Sequence, residues 1–180
     1  MRYFFDTEFS ENGPGKPIVF ISIGIVTEDD EGNIREYYAV SNEFDKEELN
    51  PWVKKNIIPK LKVDKKHLKN NSEIAKDILE FTKDDPKPMF VANYCAYDWV
   101  VLCQLFGAMI DLPDKFPMFC LDVQQFRASL NSPIIPKAQN EEDNEHNSLF
   151  DARETKRKWD YLTKYKWLGK TFNLKELRNR

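Results

Sequence analysis

The first forty residues contain three strand-like segments separated by two turn signals, and this feature restricts the fold most. Residues 2–9 and 18–27 are rich in aromatic and β-branched residues, and the segment ENGPGKP between them has the glycine and proline of a turn. A third segment, IREYYAV, follows the turn signal DDEGN. Because strands joined by short turns pair antiparallel, the sequence predicts a three-strand meander here.

The pattern changes to alternating helices and short strands after residue 50. PWVKKNIIPKL predicts a short helix ending near Pro59, and NSEIAKDILEFTK predicts a helix capped by Ser72. PMFVANY is typical of a buried strand, and AYDWVVLCQLFG of an apolar core helix that ends at Gly107. MFCLDVQQF adds a short strand and a helix start. This order predicts an α/β fold in which a mixed sheet is flanked by helices.

The last third of the chain is predicted to hold a loop and a final helix. Residues 131–147 show no periodicity and are rich in proline, asparagine and acids, which indicates a loop. LFDARETKRKWDYL predicts a helix with four inward side chains: Leu149, Ala152, Trp159 and Leu162. We expect one domain over residues 1–167, followed by a basic tail at 168–180 that forms a further short helix or frays.

Composition excludes several classes of protein. With 41% hydrophobic and 13% aromatic residues, the chain is too apolar for a disordered protein. It has no apolar run of the roughly 18 residues that a membrane span needs, and its opening residues lack a signal-peptide pattern. Three cysteines without a CxxC pair support neither a disulfide framework nor a zinc site. We therefore expect a cytoplasmic protein with no membrane partner.

The net charge of −3 is distributed unevenly along the chain. Residues 54–69 carry a local charge of +6 and residues 153–180 one of +7, which leaves −16 for the rest. The alternative for each run alone is a solvated helix face. Two basic runs beside an acidic remainder fit a protein that binds a polyanion and concentrates carboxylates elsewhere.

Two acids stand in the first strand segment, RYFFDTEF. Asp6 and Glu8 are two residues apart, so both side chains point to the same face of the strand. The surrounding residues are apolar, and buried acids must be paired or must hold a cation. A metal site is one interpretation of the pair, and the solvent face of an amphipathic strand is the other.

Two further acids are predicted at helix starts. Asp98 lies in the first turn of the apolar helix, where its alternative role is to interact with the helix dipole. Asp151 lies at the start of the final helix, and His146 precedes it by five residues. Because five residues rotate a helix by about 140°, His146 reaches the same site only from the end of the loop. Its alternative is an ordinary surface histidine.

Together these side chains have the composition of a two-metal phosphodiesterase site. Carboxylate oxygens select Mg²⁺ or Mn²⁺ over zinc. Two such ions, about 4 Å apart, would hold the attacking water and the leaving oxygen while a histidine removes the water's proton. The predicted metal ligands are Asp6, Glu8, Asp98 and Asp151, and His146 completes the predicted catalytic set.

The motifs resemble those of the DEDD 3′-to-5′ exonucleases of the ribonuclease H-like fold, in the branch marked by histidine (DEDDh). DTE matches the first motif, YD with Asp98 the second, and HNSLFDA the third, with His146 and Asp151 in HxxxxD spacing. The tyrosine branch has YxxxD, and that position is Asn147 here. RYFFDTEF, WVKKNIIPKL and AYDWVVLCQLFG further resemble RNase AS, an adenylate-preferring exoribonuclease family, over roughly residues 1–165.

The resemblance implies a fold, an activity and an assembly. The fold is a ribonuclease H-like mixed sheet, an antiparallel three-strand meander plus parallel strands, flanked by helices. The activity is removal of nucleotides from the 3′ end of single-stranded RNA, with two Mg²⁺ or Mn²⁺ ions per active site. The assembly is a homodimer. The lysine-rich stretch before residue 70, the acidic loop before His146 and the basic end beyond Trp167 depart from the family, which leaves substrate length and base preference open.

Substrate contacts are predicted from the chemistry of stacking and charge. A terminal base is expected to stack on Phe9, which follows the first motif, or on Trp99, and core packing is the alternative for both. Arg153 and its neighbours Lys156, Arg157 and Lys158 are expected to follow the phosphates, which predicts salt-sensitive binding.

Three alternatives to an exoribonuclease stay open at this stage. The same residues hydrolyse single-stranded DNA in other members of the class, and no residue indicates a contact to a 2′-hydroxyl. A non-catalytic nucleic-acid-binding module is expected to lack at least one of the five residues, and all five are present. A mononucleotide phosphatase needs a closed pocket, which the sequence does not reveal.

Overall fold

The computed structural model describes residues 1–61, 63–138 and 146–176, with side chains of the last range to residue 166. The strands are β1 (Arg2–Ser10), β2 (Val19–Glu28), β3 (Ile34–Ser41), β4 (Leu68–Lys69), β5 (Met89–Ala92) and β6 (Leu121–Asp122). The helices are α1 (Pro51–Asn56), α2 (Asn71–Phe81), α3 (Ala96–Phe106), α4 (Val123–Ser129) and α5 (Ser148–Glu176). Short 3₁₀ turns lie at Lys46–Glu48, Ile58–Lys60, Lys65–His67 and Met109–Asp111.

The strands form one mixed sheet in the order β4-β3-β2-β1-β5-β6. β1, β2 and β3 pair antiparallel, as the two turn signals predict. β5 pairs parallel with β1, and β6 parallel with β5. β4 adds a two-residue parallel edge to β3, which the sequence did not indicate because it lies inside a lysine run. The predicted α/β fold, a meander plus parallel strands flanked by helices, is confirmed.

Helices cover both faces of the sheet, because β1 is apolar on both sides. Tyr3 and Phe5 face α2 and α3, whose Ile78 and Leu102 are fully buried against them. Phe4 faces the other way and packs with Val91, Val123, Trp159 and Leu162. Each such buried side chain contributes about 1.5–3 kcal/mol. The strand that carries Asp6 and Glu8 is therefore held between two cores.

The structure corrects one helix start and confirms another helix. α2 is capped by Asn70, whose side chain accepts the backbone N–H of Glu73 while Glu73 accepts that of Asn70, so Ser72 is not the cap. A capping box satisfies two backbone donors, which a serine inside the first turn cannot do. In α5, Ala152, Trp159 and Leu162 are buried as predicted, and Leu149 is half-buried.

Two predicted boundaries meet the limits of the described residues. α5 runs through residue 167 to Glu176 without interruption, so the proposed tail begins inside a helix, and the division at 167 stays a prediction. Residues 132–138 have no regular structure, as expected for the loop. The acidic part of that loop at 139–145 and the chain end at 177–180 lie outside the described residues. Over the described ranges, no helix combines the length and apolarity that a membrane crossing requires.

Candidate active site

Asp6 and Glu8 occupy the second half of β1 on the face covered by α5. In the sheet register Asp6 lies opposite Gly24 of β2, and Glu8 lies opposite Ser22. Glu8 is buried, with 5% of its surface exposed, and Asp6 is half-buried. The side chains share one face of the strand, as their spacing predicts.

The first turn of α5 crosses β2 at Gly24 and brings Asp151 to the same place. A Cβ atom at Gly24 would lie 2.3–2.4 Å from backbone atoms of Ser148 and Leu149, so no side chain fits there. The hydroxyls of Ser22 and Ser148 are 3.0 Å apart and add a hydrogen bond across this contact. Because the helix lies directly on the sheet, Asp6, Glu8 and Asp151 each place one oxygen within 4.8 Å of the others.

Asp98 approaches from the N-terminal turn of α3, at the opposite edge of β1. β1 pairs with β5 only over Arg2–Phe4, so its backbone is unpaired on that side further along. The backbone N–H and the hydroxyl of Thr7 both donate to one Asp98 oxygen, at 2.8 and 2.7 Å. Asp98 is not in the 4.8 Å group, and Thr7 ties its carboxylate to the strand between the two other acids.

Asp122 fixes the start of α3, the helix that carries Asp98. One of its oxygens accepts the backbone N–H of Cys95, the residue before α3, at 2.6 Å. The other oxygen accepts the N–H groups of Gln124 and Gln125 and caps α4. The carboxylate thus joins the starts of two helices, and it positions the turn on which Asp98 stands.

His146 lies immediately before α5, off the helix. Asn147 is the cap: its oxygens accept the N–H groups of Phe150 and Asp151. His146 has a φ of +69°, and its backbone N–H donates to Asp151 at 2.9 Å. Its ring packs edge-to-face on Trp52, with centroids 5.0 Å apart. The end of the loop therefore delivers the histidine to Asp151, in the geometry that the five-residue spacing required.

Burial raises the pKa values of three of these acids, and neighbouring carboxylates raise them further. Burial raises the pKa of Asp6 well above its usual range, and the charges of Asp98, Glu8 and Asp151 raise it further. The pKa of Glu8 is raised to about 8 by burial and by Asp151 and Asp98. Burial raises the pKa of Asp98 to about 6, against the two Thr7 hydrogen bonds, which lower it. Several carboxylates so close together repel one another when ionised, and a bound cation would relieve this repulsion.

The donor set fits a divalent metal that prefers oxygen. The ligand atoms of Asp6, Glu8 and Asp151 are all carboxylate oxygens, and Asp98 keeps one oxygen that Thr7 does not bind. Mg²⁺ and Mn²⁺ select such ligands, whereas zinc sites use histidine and cysteine. Cys95 is three residues before Asp98 in the chain, but burial raises its thiol pKa to about 11, which disfavours the thiolate that binds zinc.

A pocket of about 250 Å³ opens beside Glu8, between β1 and α1. Phe9, Trp52 and His146 form part of its wall. Phe9 also stacks on Tyr97, with ring centroids 5.6 Å apart and planes 19° from parallel. Tyr97 is 47% exposed, so an aromatic pair reaches the surface next to the acids.

Two predicted substrate contacts are placed differently from the expectation. Trp99 is 8% exposed and packs on Phe90 in the core, so its ring is not accessible to a base. Arg153 forms a two-bond ion pair with Glu36 on β3, at 2.7 and 2.6 Å. Both side chains are already engaged within the protein.

The neighbouring cations of α5 differ in their partners. Lys156 pairs with Glu28 and Asp160, and Arg157 pairs with Glu154. The charge of Lys158 lowers the pKa of Asp6, which brings this lysine into the electrostatic field of the acids.

Several residues that build the site carry no strong signal in a single sequence. Thr7 stands between the two acids and was visible in the motif DTE, but its bonds to Asp98 join residues 91 positions apart. Gly24 lies inside an apolar strand, where a glycine is a known sign of close backbone approach. Trp52 follows a proline at a helix start, and nothing nearby connects it to His146.

Most of the chain is similar in sequence to known 3′-5′ exoribonucleases. Residues 1–163 match the family described as the Rv2179c-like 3′-5′ exoribonuclease domain. Two relatives from Mycobacterium tuberculosis strains, 3′-5′ exoribonuclease MT2234.1 and 3′-5′ exoribonuclease Rv2179c, are each 39% identical over 166 residues, which is 91% of this chain and 94% of theirs. A crystal structure of a full-length 3′-exonuclease shares the fold, with a TM-score of 0.52 and 12% identity, over 91% of this chain and 81% of that one.

Proposed function

The chain belongs to the family of Rv2179c-like 3′-5′ exoribonuclease domains, and we propose that it removes nucleotides from the 3′ end of single-stranded RNA by metal-dependent hydrolysis. The observation that carries this proposal is the convergence of Asp6, Glu8 and Asp151 within 4.8 Å, beside Asp98 and His146. The same five residues support assignment to the DEDDh branch, because each stands where a motif of that branch requires it.

Asp6, Glu8, Asp98 and Asp151 would hold two divalent ions, Mg²⁺ or Mn²⁺. When bound, such ions would activate the attacking water and would neutralise charge on the phosphate and on the leaving oxygen. The carboxylates would balance the charge of the ions, and two of them, Glu8 and Asp98, are buried. Thr7 binds one Asp98 oxygen and leaves the other for coordination.

His146 acts as the general base in this proposal. Its imidazole takes the proton of the attacking water, and the bond from its backbone N–H to Asp151 keeps base and metal ligand together. The left-handed backbone at His146 turns the loop into the helix at this residue, and His146 lines the same pocket as Glu8. Such backbone strain is common at functional sites.

The 3′-terminal base is proposed to stack on Phe9, at the mouth of the pocket beside Glu8. Tyr97 stacks on one face of the Phe9 ring, and Phe9 also lines the pocket. The terminal base would stack on the other face of Phe9. Stacking of this kind accepts any base, so a preference for adenylate has to come from polar groups around the platform. Lys158 is the proposed phosphate contact among the α5 cations, since its charge acts at Asp6.

We also propose that the protein is a homodimer. The outer face of α3 and the turn after it expose Val100, Met109 and Ile110, by 44%, 50% and 85%. Apolar side chains in consecutive elements support a protein interface there. Light scattering on the full chain checks this, with Ile110→Lys as the variant expected to yield a monomer.

The test of the activity is a time course on 5′-labelled single-stranded RNA and DNA of matched sequence. Tails of adenylate and of uridylate are compared in Mg²⁺, Mn²⁺ and EDTA. We expect a ladder that shortens by one nucleotide at a time from the 3′ end of RNA and stops in EDTA. Faster loss of the adenylate tail would support the RNase AS assignment, and faster loss of DNA would favour a deoxyribonuclease.

Three variants assign the activity to the site. Asp151→Ala is expected to abolish turnover without unfolding the chain, because it removes a metal ligand and also relieves repulsion. His146→Ala should slow hydrolysis by about 10²- to 10⁴-fold, as for a lost general base. Asp160→Asn is the control, since this exposed acid lies on the same helix and pairs with Lys156. Binding of both strands without shortening of either would instead support a non-catalytic binding module.

A further inference from the structure

Trp52 contacts the ring of His146 from an element that carries no catalytic residue. It is the second residue of α1, and 53% of its surface is exposed. Its ring and the imidazole lie at 84° to each other, with centroids 5.0 Å apart. An edge-to-face contact of this kind restricts rotation of both rings.

The N-terminus of α1 is tied to the end of β1, the strand of Asp6 and Glu8. The backbone N–H of Asn50 donates to the Ser10 hydroxyl at 3.0 Å, and its side-chain amide donates to the Glu11 carbonyl at 3.0 Å. Asn50 also caps the helix by accepting the N–H of Val53. Trp52 therefore stands two residues from a fixed junction with the catalytic strand.

The inner face of α1 is anchored in a core of its own. Val53 is 3% exposed and packs in a cluster with Ile21, Leu49 and Ile57. Ile21 belongs to β2, so this cluster fixes the helix on the sheet. The helix that carries Trp52 is thus held in place by both hydrogen bonds and apolar contacts.

The same segment also holds the residue that follows His146. The side-chain amide of Asn147 donates to the carbonyl of Lys60, at the end of the 3₁₀ turn after α1, at 3.2 Å. The segment from Asn50 to Lys60 thus contacts the histidine ring at one end and the cap of α5 at the other.

We propose that Trp52 is a positioning residue that holds the imidazole of His146 in line with the carboxylates of β1 and α5. This inference rests on the proposed role of His146 as general base. Because proton transfer depends on placement within a fraction of an ångström, loss of the ring contact lowers the chemical step rather than substrate binding. Trp52 itself donates and accepts no proton in the reaction.

The test is a double-mutant cycle on the full chain, with kcat and KM measured on an RNA oligomer. Trp52→Ala is expected to lower kcat by about 2- to 10-fold, the range of an edge-to-face aromatic contact, with KM unchanged. Trp52→Phe keeps an aromatic edge and should restore most of kcat. With His146→Ala already present, Trp52→Ala should cause no further loss, because the two residues act through one step.

Tyr165→Ala is the matched control for removal of an exposed aromatic ring. Tyr165 is 41% exposed on α5, and 14 residues of helix place it about 21 Å beyond Asp151. We expect wild-type kcat and KM for this variant. Circular dichroism of every variant checks that each one is folded.

The outcomes separate this inference from the proposed function. If His146→Ala is as active as the wild type, the proposed general base is wrong. If His146→Ala is slow but Trp52→Ala has full activity, the positioning role is wrong while the base stands. A rise in KM alone, or equal losses in the presence and absence of His146, would show instead that Trp52 stacks on the RNA, and would overturn the inference.

Discussion

At the scale of single residues, folding favours the neutral form of the acids around β1, whereas the proposed metal binding favours their charged form. Glu8 and Asp98 are buried, and both have raised pKa values because their surroundings disfavour charge. A divalent ion requires the same groups to be ionised. The site is therefore costly to the metal-free protein and ready for a cation.

The first prediction follows from the sign of these pKa shifts. The pKa of Glu8 is about 8 in the folded protein, against an ordinary value of 4.5. Between those pH values the folded state binds more protons than the unfolded state, so stability falls as pH rises. In EDTA we expect Tm to decrease from pH 5 to pH 8, and Glu8→Gln to flatten the decrease. A Tm that rises over this range in scanning fluorimetry would contradict the assignment.

The second prediction concerns the Thr7 hydroxyl. Thr7→Val keeps the shape of the side chain and removes one of two hydrogen bonds to the Asp98 carboxylate. A hydrogen bond to a charged group contributes about 1.5–3 kcal/mol, so we expect a loss of activity of about tenfold or more. Thr27→Val is the control, because that hydroxyl bonds the Arg2 carbonyl on the same sheet. If Thr7→Val and Thr27→Val have equal activities, the Thr7 hydroxyl does not contribute to the site.

Single residues were also the level at which the sequence was most informative. The motifs put Asp6, Glu8, Asp98, His146 and Asp151 on a strand, two helix starts and a loop end, and the structure has them on those elements. Phe9 stays a predicted base contact. Trp99 was less predictable, because an aromatic residue beside a motif packs inward or outward according to the tertiary structure.

At the scale of elements, the contact between α5 and β2 decides where Asp151 lies. The helix approaches the sheet at Gly24 more closely than any side chain allows. The Ser22–Ser148 hydrogen bond fixes the contact along the strand. The position of one glycine thus allows the close approach of two carboxylates, Asp6 and Asp151, that are 145 residues apart in the chain.

The third prediction tests this contact. Gly24→Ala is expected to push α5 away from the sheet, which costs stability and lowers activity by separating Asp151 from Asp6. Gly15→Ala is the control, because a Cβ there meets no atom within 4 Å and only the backbone preference of a glycine is lost. Thermal unfolding and the RNA time course measure both effects. If Gly24→Ala behaves like Gly15→Ala, the close approach does not position the ligand.

Helices and strands with a long periodic pattern were predictable from the sequence. Short elements and helix ends were less predictable, because tertiary contacts determine them. The meander, α2, α3 and the start of α5 follow from alternation, caps and apolar faces. β4 has two residues and exists because β3 offers it an edge. The cap of α2 is Asn70 and not the predicted Ser72, because a capping box satisfies more backbone donors than a serine alone.

At the scale of the whole molecule, charge is separated between the acids and the basic runs. Part of the positive charge is consumed within the fold, since Arg153, Lys156 and Arg157 pair with acids of the protein. Net charge calculated from the sequence counts these three residues like any other cation of the basic run. The structure distinguishes them, because ion pairs depend on which elements meet.

The fourth prediction uses salt to find the cations that contact RNA. Binding to Asp151→Ala protein, measured by anisotropy, should weaken as salt rises, with a slope of about 0.7 per phosphate contact. Lys158→Gln is expected to reduce that slope by one contact. Arg153→Gln should leave it unchanged, because Glu36 already neutralises that charge. A reduced slope for Arg153→Gln with an unchanged slope for Lys158→Gln would instead show that Arg153 contacts the RNA and that Lys158 does not.

The proposed two-metal centre consists of Asp6, Glu8, Asp98 and Asp151. Anomalous diffraction from crystals grown with Mn²⁺ tests it most directly. We predict two manganese peaks bound by these four carboxylates, and loss of at least one peak in Asp151→Ala crystals. Manganese bound elsewhere, or no peak at these carboxylates in a protein that shortens RNA, would contradict the account.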